Sequence, residues 1–277
     1  MKPRVLAGAA ILLVACARAG PAVADTACGG EVPCRVGGGR YHAVAPAGWD
    51  GTSPLPATVF FHGWQATGRA VIEDEALVRA FSDEGVLLIA PDGRDKTWAH
   101  VGSPSSARDD LAFVDAVMAD ARRRWPVDGD RLLVTGFSQG ASMAWDVACY
   151  RGGRFMAFAP IAGAFWEPLP ETCPAGPVNL RHVHGTGDGT VPMAGRPIRD
   201  VFRQGDVRQG MAVWRGVNGC PAEPSRVERE DALTCEVWDR CASGRELRLC
   251  LHDGGHTMPP GWAHRIHEWA RSVARGG

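Results

Sequence analysis

The chain alternates between short apolar runs and longer amphipathic stretches. A short run that is apolar throughout is typical of a strand buried on both faces, whereas apolar residues three or four positions apart indicate a helix that covers a core. The runs that predict strands are 39–47, 58–61, 86–90, 132–134, 155–162, 180–184 and 247–251. The stretches that predict helices are 72–81, 111–125, 141–150, 210–217 and 262–274.

This succession of strands and helices predicts the α/β class, with a mostly parallel central sheet covered by helices on both faces. The sequence shows no internal repeat, and its proline-rich segment 168–177 is shorter than the linkers that usually separate domains. We therefore expect a single domain over residues 25–277, which is long enough to bury a substantial core.

The amino-terminal segment has the features of an export signal. Two basic residues precede the apolar run 5–15, and an Ala-Val-Ala cleavage pattern stands at 22–24. This predicts a signal peptide over 1–24 and a protein that is secreted or periplasmic. The alternative is a lipoprotein, because Leu-Val-Ala-Cys at 13–16 resembles a lipobox that would place a lipid anchor on Cys16.

The charge balance gives no sign of a nucleic-acid partner. The chain holds 30 Lys and Arg against 31 Asp and Glu, a net charge of −1. Because the predicted leader contains three basic and no acidic residues, the remaining chain would have a net charge of −4. Nucleic-acid-binding proteins usually present a basic patch, and here the arginines are spread along the chain. The sequence implies no stable protein partner either.

Eight of the nine cysteines follow the predicted leader, and an even number in an exported chain predicts disulfide bonds. Proximity along the chain suggests that Cys28 pairs with Cys34, and Cys149 with Cys173. The remaining four are expected to pair among themselves with the connectivity left open: Cys220, Cys235, Cys241 and Cys250. A zinc site is the alternative, but the spacings are irregular and include no C-x-x-C pair, so we expect no metal.

The most informative motif is GFSQG at 136–140. It follows the apolar run 132–134 and precedes a helical stretch. A strand, G-x-S-x-G and a helix in succession are the signature of the nucleophile elbow of α/β-hydrolases, where a sharp turn exposes a serine hydroxyl at the end of the sheet. A glycine-rich turn with a solvated serine is the alternative, but the flanking elements favour Ser138 as a nucleophile.

A serine nucleophile needs a general base, which in α/β-hydrolases follows the serine and the acid along the chain. His256 lies in a loop directly after the predicted strand 247–251, and catalytic groups favour loops at the carboxyl ends of strands. His252 stands at the end of that strand and stays an alternative. His264 and His267 fall in the predicted terminal helix, where a packed or solvated histidine is ordinary.

The acid that orients the base should also follow a strand. Asp188 does so, because it comes shortly after the predicted strand 180–184. An aspartate that hydrogen-bonds only its own turn is the alternative interpretation. Rival acids in helical or solvent-facing contexts are Asp200, Asp206 and Asp239.

Acyl transfer also needs backbone N–H groups that hold the developing oxyanion. One is expected from Gln139, the residue after the nucleophile, and another from the loop after an early strand. The sequence His62-Gly63-Trp64 follows the predicted strand 58–61 and fits that loop, with the Trp64 N–H as the donor. Gly63 would let the backbone approach the substrate closely.

Four of the ten tryptophans fall in loops near the predicted site: Trp64, Trp98, Trp166 and Trp262. Aromatic rings suit a flat hydroxycinnamate or the apolar face of a sugar, so we expect these four to contact substrate. Packing in the core is the alternative for each of them.

A set of motifs resembles the secreted poly(3-hydroxybutyrate) depolymerase and feruloyl esterase group, which is related to carbohydrate esterase family 1. The motifs are FFHGW at 60–64, APDG at 90–93, GFSQG at 136–140, APIAG at 159–163, HGTGDGTVP at 184–192 and GGHTMPPGW at 254–262. The resemblance covers nearly all of the chain after the leader. It implies a single-domain α/β-hydrolase in which Ser138, Asp188 and His256 are the triad. Trp64 and the Thr-Met-Pro-Pro stretch after His256 depart from the group's pattern.

The resemblance implies a secreted serine esterase that works through an acyl-enzyme and needs no cofactor. Members of the group cleave hydroxycinnamoyl esters of plant polysaccharide or 3-hydroxybutyrate polyesters, so such esters are the expected substrates. A serine peptidase or an acetyl xylan esterase could use the same residues on the same fold. A binding protein without activity is a further alternative, which the presence of all three triad candidates in order disfavours.

Overall fold

The computed structural model describes residues 28–274, so the predicted signal peptide and the possible lipid anchor at Cys16 lie outside the described residues. The strands are β1 Cys34–Val36, β2 Gly39–Val44, β3 Leu55–Phe61, β4 Leu87–Pro91, β5 Val127–Phe137, β6 Ala157–Ile161, β7 Leu180–Gly185, β8 Arg196–Ile198, β9 Phe202–Gln204, β10 Arg226–Glu230, β11 Leu233–Trp238 and β12 Leu247–His252. The helices are α1 Gly68–Glu73, α2 Glu75–Ser82, α3 Asp110–Arg124, α4 Gln139–Arg151, α5 Val207–Asn218 and α6 Trp262–Ala274.

One large sheet organises the described residues. Its strand order is β1-β2-β4-β3-β5-β6-β7-β12-β11-β10, and β8 pairs with β9 in a separate hairpin. The strands from β4 through β12 in this order pair parallel, whereas the two strands at each edge pair antiparallel. The predicted α/β class with a mostly parallel central sheet is confirmed.

Both faces of the sheet are covered, which explains why the central strands β4 and β6 are apolar throughout. Consecutive side chains of a strand point to opposite faces. Phe61 packs into the cluster that α3, α4 and α5 cover, while its neighbour Phe60 packs against Phe81 of α2 and Trp262 of α6. With helices on both sides, neither face of a central strand can carry polar residues without a partner.

Several regions differ from the sequence-based prediction, among them the short strands β1, β8 and β9, which were not predicted. The stretch 72–81, predicted as one helix, is divided between α1 and α2 at Asp74, whose carboxylate accepts hydrogen bonds from the backbone N–H groups of Ala76 and Leu77. This side chain caps the second helix and explains the break, since aspartate is a favourable N-cap. The antiparallel edge strands β10 and β11 were not predicted, because β10 reads Arg-Val-Glu-Arg-Glu and has no buried face.

Four disulfide bonds connect the described cysteines. Cys28 pairs with Cys34 and Cys149 with Cys173, so both predicted pairs are confirmed. The last four pair among themselves, as expected, and the bonds join Cys220 to Cys241 and Cys235 to Cys250. Within residues 28–274, no helix has the length and apolar character needed to cross a bilayer.

Candidate active site

Ser138 lies at a tight junction between a strand and a helix. It follows β5, precedes α4, and has φ 59° and ψ −123°, a conformation that non-glycine residues rarely adopt. The surrounding backbone allows no side chain at the flanking glycines, since a Cβ on Gly140 would overlap the Phe61 carbonyl and a Cβ on Gly136 the Gly140 carbonyl. Strained residues of this kind are concentrated at functional sites.

Three sequence-predicted residues meet at the carboxyl ends of the parallel strands. Ser138 follows β5, Asp188 follows β7 and His256 follows β12. The His256 Nε2 atom lies 2.9 Å from the Ser138 Oγ, and its Nδ1 lies 2.7 Å from the Asp188 Oδ2. The imidazole can therefore donate to the carboxylate through Nδ1 and accept the serine proton at Nε2, which is the hydrogen-bonding order that nucleophile activation requires.

The Asp188 carboxylate is fixed by its own turn. Its Oδ1 accepts hydrogen bonds from the backbone N–H groups of Thr190 and Val191, both at 2.8 Å, which leaves Oδ2 directed at His256. The turn interaction that the sequence offered as an alternative to an acid role thus coexists with the contact to the histidine. The side chain of Asp188 is fully buried, while that of His256 is 18% exposed.

Two further histidines lie beneath this acid and were not predicted as part of the site. The Trp145 indole donates to the Nδ1 of His182, whose Nε2 donates to the Nδ1 of His184 over 2.9 Å. His184 then donates through its Nε2 to the Val191 carbonyl at 2.7 Å, and this Nε2 is 3.5 Å from the Asp188 Oδ2. Burial lowers the pKa of both imidazoles, so they are neutral at neutral pH.

The rival bases have other partners. His252, the main alternative, accepts a hydrogen bond at Nδ1 from its own turn, the Gly254 N–H. His264 pairs with Glu84 at the surface, and His267 is held by the Thr58 hydroxyl and a carbonyl of α6. Among the described histidines, only His256 lies within hydrogen-bonding distance of Ser138.

The rival acids also have other local partners. Asp206 caps α5 by accepting from the Gln209 N–H, and Asp239 pairs with Arg226. Asp200 lies exposed in the turn between β8 and β9. Asp188 is the candidate acid that the structure brings to His256.

The predicted oxyanion loop lies directly against the nucleophile. A Cβ on Gly63 would be 3.5 Å from the Ser138 Cβ. The loop is held by His62, whose Nδ1 donates to the Gly63 carbonyl and whose Nε2 accepts from the Gly93 N–H. Burial lowers the pKa of His62, so the neutral ring can play both parts.

A neighbouring loop, residues 93–97, supports both predicted oxyanion donors. Its Lys96 carbonyl accepts from the Gln65 N–H at 2.9 Å, next to Trp64. Its Thr97 hydroxyl accepts from the Gln139 side chain at 2.7 Å. The APDG motif at 90–93 leads into this loop but did not predict a role for it, because a support that acts through backbone atoms leaves no signature in side-chain types.

The four predicted substrate-contacting tryptophans occupy different environments. Trp64 is 67% exposed beside the oxyanion loop. Trp98 is fully buried and donates to the His62 carbonyl, so the prediction that it contacts substrate is wrong: it packs behind the loop rather than in front of it. Trp166 is nearly buried against His100.

The fourth, Trp262, is half-buried and packs against the rings of Phe60 and Phe81. A contact that the sequence did not predict lies closer to the chemistry. The Phe137 ring, directly before the nucleophile, has its centroid 4.7 Å from that of the His256 imidazole.

The described residues contain one cluster with the geometry of a metal site, formed by Glu230, Cys235 and Cys250. Its two cysteines are joined in a disulfide bond and have no thiolate to offer a metal.

Comparisons with known proteins point to esterases. No protein-family model matches the chain. Feruloyl esterase D of Neurospora crassa is 25% identical over 233 residues, which span 78% of this chain and 73% of that protein. A probable feruloyl esterase C of Aspergillus niger is 23% identical over 237 residues, which span 82% of this chain and 79% of that protein.

The solved structure of an acetyl xylan esterase from Aspergillus awamori superposes on this chain with a TM-score of 0.58. The sequences are 15% identical, and the match covers 84% of this chain and 93% of the other. At this identity the likeness shows a common fold.

Proposed function

We propose that this chain, a carboxylic ester hydrolase of the α/β-hydrolase fold, cleaves its substrate by acyl transfer to Ser138 with His256 as base and Asp188 as acid. The observation that carries the proposal is the pair of hydrogen bonds, 2.9 Å and 2.7 Å long, that link these three side chains in the order catalysis needs. The strained backbone of Ser138 and its position at the mouth of the parallel sheet agree with this role.

The reaction has two halves. The His256 Nε2 takes the proton of the Ser138 hydroxyl while Oγ attacks the ester carbonyl carbon, and the oxyanion is held by the backbone N–H groups of Gln139 and Trp64. As the bond to the alcohol oxygen breaks, His256 returns the proton to the leaving alkoxide. Water, deprotonated by the same nitrogen, then attacks the acyl carbon and releases the acid and free Ser138.

We favour hydroxycinnamoyl esters of a saccharide as the substrate class. The support is the naming of the relatives as feruloyl esterases, together with the exposed Trp64 ring beside the proposed oxyanion donor. A flat aromatic acyl group can stack on such a ring. Esters of 3-hydroxybutyrate and acetyl groups on xylan are the alternatives that a substrate panel would distinguish.

We also infer that the protein works outside the cytoplasm. Four disulfide bonds in a chain of this size are typical of an oxidising compartment. This agrees with the predicted signal peptide, which lies outside the described residues.

The mechanism is tested by combining one variant with one label. Ser138→Ala should lower kcat for 4-nitrophenyl acetate by about 10⁴- to 10⁶-fold. A fluorophosphonate probe should modify Ser138 in the unmodified protein and fail to modify the variant. Ser272→Ala is the matched control, since the hydroxyl of this serine donates to the Trp269 carbonyl of its own helix. Turnover that survives Ser138→Ala would rule out Ser138 as the nucleophile.

The substrate class is tested separately with methyl ferulate, 3-hydroxybutyrate oligomers, acetylated xylan and aminoacyl anilides. We expect the highest kcat/KM for methyl ferulate and negligible cleavage of the anilides. Preferential anilide cleavage would replace the esterase assignment with a peptidase. A preference for one of the other esters would retain the mechanism and change the acyl group.

A further inference from the structure

A second concave site lies beside the oxyanion loop and contains none of the proposed triad residues. It has a volume of about 750 Å³ and is lined by residues 35–40, Thr67, residues 92–96 and Arg108. We call it the basic cavity. One wall, Gly37 to Gly39, has no side chains, and a Cβ at Gly39 would collide with the Arg108 guanidinium. The space is therefore kept open by a glycine wall that faces cationic side chains.

The lining is strongly positive in a chain whose net charge is −1. Two carboxylates belong to it, Asp92 and Asp95, and the cationic residues are Arg35, Arg40, Arg94, Lys96 and Arg108. Part of this charge is already neutralised. Asp92 accepts from Arg40 and from the Gly68 N–H, and Arg108 pairs with Asp110 beneath the cavity floor.

The remaining cations have no carboxylate partner. Arg35, Arg94 and Lys96 are exposed, and no ion pair is formed by any of the three within the part of the chain that the structure describes. Asp95 is the lining carboxylate without an ion pair, and it stands between Arg94 and Lys96 in the chain. Three unpaired cations and one unpaired carboxylate give the lining a surplus of positive charge, which favours the binding of an anion.

The basic cavity and the oxyanion loop are connected by a backbone hydrogen bond. The carbonyl of Lys96 accepts from the Gln65 N–H at 2.9 Å, and Gln65 is two residues from Gly63, which lies against Ser138. Given the reach of an extended chain, this connection places the Lys96 backbone within roughly 15 Å of the nucleophile. A substrate bound at Ser138 can extend this far with a group beyond the ester.

The segment that carries two of the free cations is also strained. Asp95 and Lys96 have φ values of 54° and 62°, in the left-handed region that residues other than glycine seldom occupy. Two consecutive strained residues next to a proposed oxyanion donor indicate that the fold maintains this loop shape against a conformational cost. The shape directs the 94–96 turn into the cavity wall.

We propose that the basic cavity binds a carboxylate carried by the ester substrate, so that the substrate class is an acylated acidic saccharide containing a uronate near the cleaved bond. This inference rests on the proposed function, which supplies a saccharide ester at Ser138. Guanidinium and ammonium groups are the usual partners of carboxylates, and a cavity of this volume accommodates a sugar ring. The cavity thereby recognises the saccharide part of the substrate, whereas the acyl group is bound at Ser138.

The test compares two substrates that differ in one charge. One is a feruloylated disaccharide with a galacturonate unit, and the other is the same compound with galactose in its place. The measured quantity is the ratio of their kcat/KM values. In the unmodified protein we expect a ratio above about five at low salt, falling toward one near 0.5 M NaCl, because salt screens exposed charges.

Charge removal is the second arm. Arg94→Met with Lys96→Met keeps the bulk of both side chains and should lower the ratio about fivefold. Arg240→Met with Arg245→Met is the matched control, because both arginines are exposed and lie beyond β11, near the opposite edge of the sheet. The control should leave the ratio unchanged. If the double variant does not fold, the salt dependence of the unmodified protein still decides the matter.

The possible outcomes distinguish failure of the uronate site from failure of the proposed esterase function. A ratio near one at low salt, with both compounds cleaved, would overturn the uronate site and leave the esterase proposal standing. If inorganic phosphate and free galacturonate inhibit cleavage of the acidic substrate equally at constant ionic strength, the cavity binds anions in general, and the uronate proposal is overturned. Failure to cleave either ester would reject the proposed function itself.

Discussion

Buried histidines, rather than exposed ones, hold the loops of the candidate site in place. His62 links two loops by donating to the Gly63 carbonyl and accepting from the Gly93 N–H. His184 donates to the Val191 carbonyl inside the turn that carries the acid. Burial lowers the pKa of both, so each stays neutral and keeps one donor and one acceptor nitrogen. Both are positioning residues, since neither touches Ser138.

The identity of the base can be tested with two histidines that lie four residues apart. His256→Ala should lower kcat/KM for 4-nitrophenyl acetate by about 10³-fold or more, because the serine proton loses its acceptor. His252→Asn should cost less than about tenfold, since the asparagine oxygen can replace Nδ1 as acceptor for the Gly254 N–H. A greater loss in His252→Asn than in His256→Ala would contradict the assignment.

Trp64 offers a test of acyl-group recognition. Trp64→Ala should lower kcat/KM for methyl ferulate by about three- to tenfold more than for 4-nitrophenyl acetate, because stacking is lost only with an aromatic acyl group. Trp166→Phe is the comparison, since that side chain is nearly buried. Equal losses with both esters in Trp64→Ala would show that the ring supports the oxyanion loop rather than the acyl group.

At the scale of secondary structure, the elements that bury both faces were predictable and the edges were not. The runs that became β4 and β6 are apolar throughout, which leaves little choice of environment. The charged strand β10 pairs through its backbone and displays its side chains, so its sequence resembles that of a surface loop.

The candidate site, like the fold, was predictable only in part. The elbow and the loops after β7 and β12 carry recognisable motifs. The misassignment of Trp98 arose because a loop tryptophan that packs inward has the same local sequence as one that faces substrate. Its orientation is set by the His62 carbonyl, 36 positions away in the chain. The hydrogen-bonded pair His182 and His184 in β7 was missed for a similar reason, since its partner Trp145 lies in α4, 37 positions earlier in the chain.

Two glycine substitutions in contrasting environments, one crowded and one open, should have opposite effects. Gly140→Ala would force a Cβ against the Phe61 carbonyl at the start of α4, so we expect a loss of more than about 3 kcal/mol in the free energy of unfolding, or no soluble protein. Gly216→Ala lies in α5 with open space around its Cβ and should stabilise by about 0.5–1 kcal/mol. Urea unfolding of both variants gives the measurement; a stable Gly140→Ala would mean that the elbow is looser than described.

At the scale of the whole molecule, the strand order decides which loops can cooperate. The strands that precede Ser138, Asp188 and His256 all run parallel in the middle of the sheet, so their following loops emerge on one edge. β7 and β12 are direct neighbours, which places Asp188 and His256, the proposed acid and base, side by side although they are 68 positions apart. The sheet therefore brings together residues that local sequence cannot connect.

The buried histidines make the fold sensitive to acid. Burial lowers the pKa of six of them, to about 3 in His100 and about 4 in His267; the others are His62, His182, His184 and His252. Their native state resists protonation that the unfolded chain accepts near pH 6.5, so the free energy of unfolding should fall as the pH drops below that value. The shift in His267 alone corresponds to about 3 kcal/mol between pH 6.5 and 4.

Asp146 acts in the opposite direction. Burial raises its pKa to about 7, so its native state takes up a proton that the unfolded chain accepts only near pH 4. The pKa of the Asp110 carboxyl is also raised by burial. Six histidines outweigh these two carboxyls, and urea unfolding should show lower stability at pH 5 than at pH 7. His267→Gln should flatten this dependence by about one proton. Equal stability at the two pH values would contradict the assignment of neutral buried imidazoles.

The order in which cysteines appear along the chain matters for how the last two disulfides form. The Cys220–Cys241 and Cys235–Cys250 bonds interleave, because Cys235 lies inside the first loop and its partner outside it. A chain emerging from its amino end would expose Cys220 and Cys235 first, and oxidation in order of appearance would join the wrong pair. Correct pairing therefore requires either that β11 and β12 have already met, which sets Cys235 opposite Cys250, or that thiol exchange repairs the error. A producing cell with a disulfide isomerase should accordingly yield far more native protein than one that only oxidises.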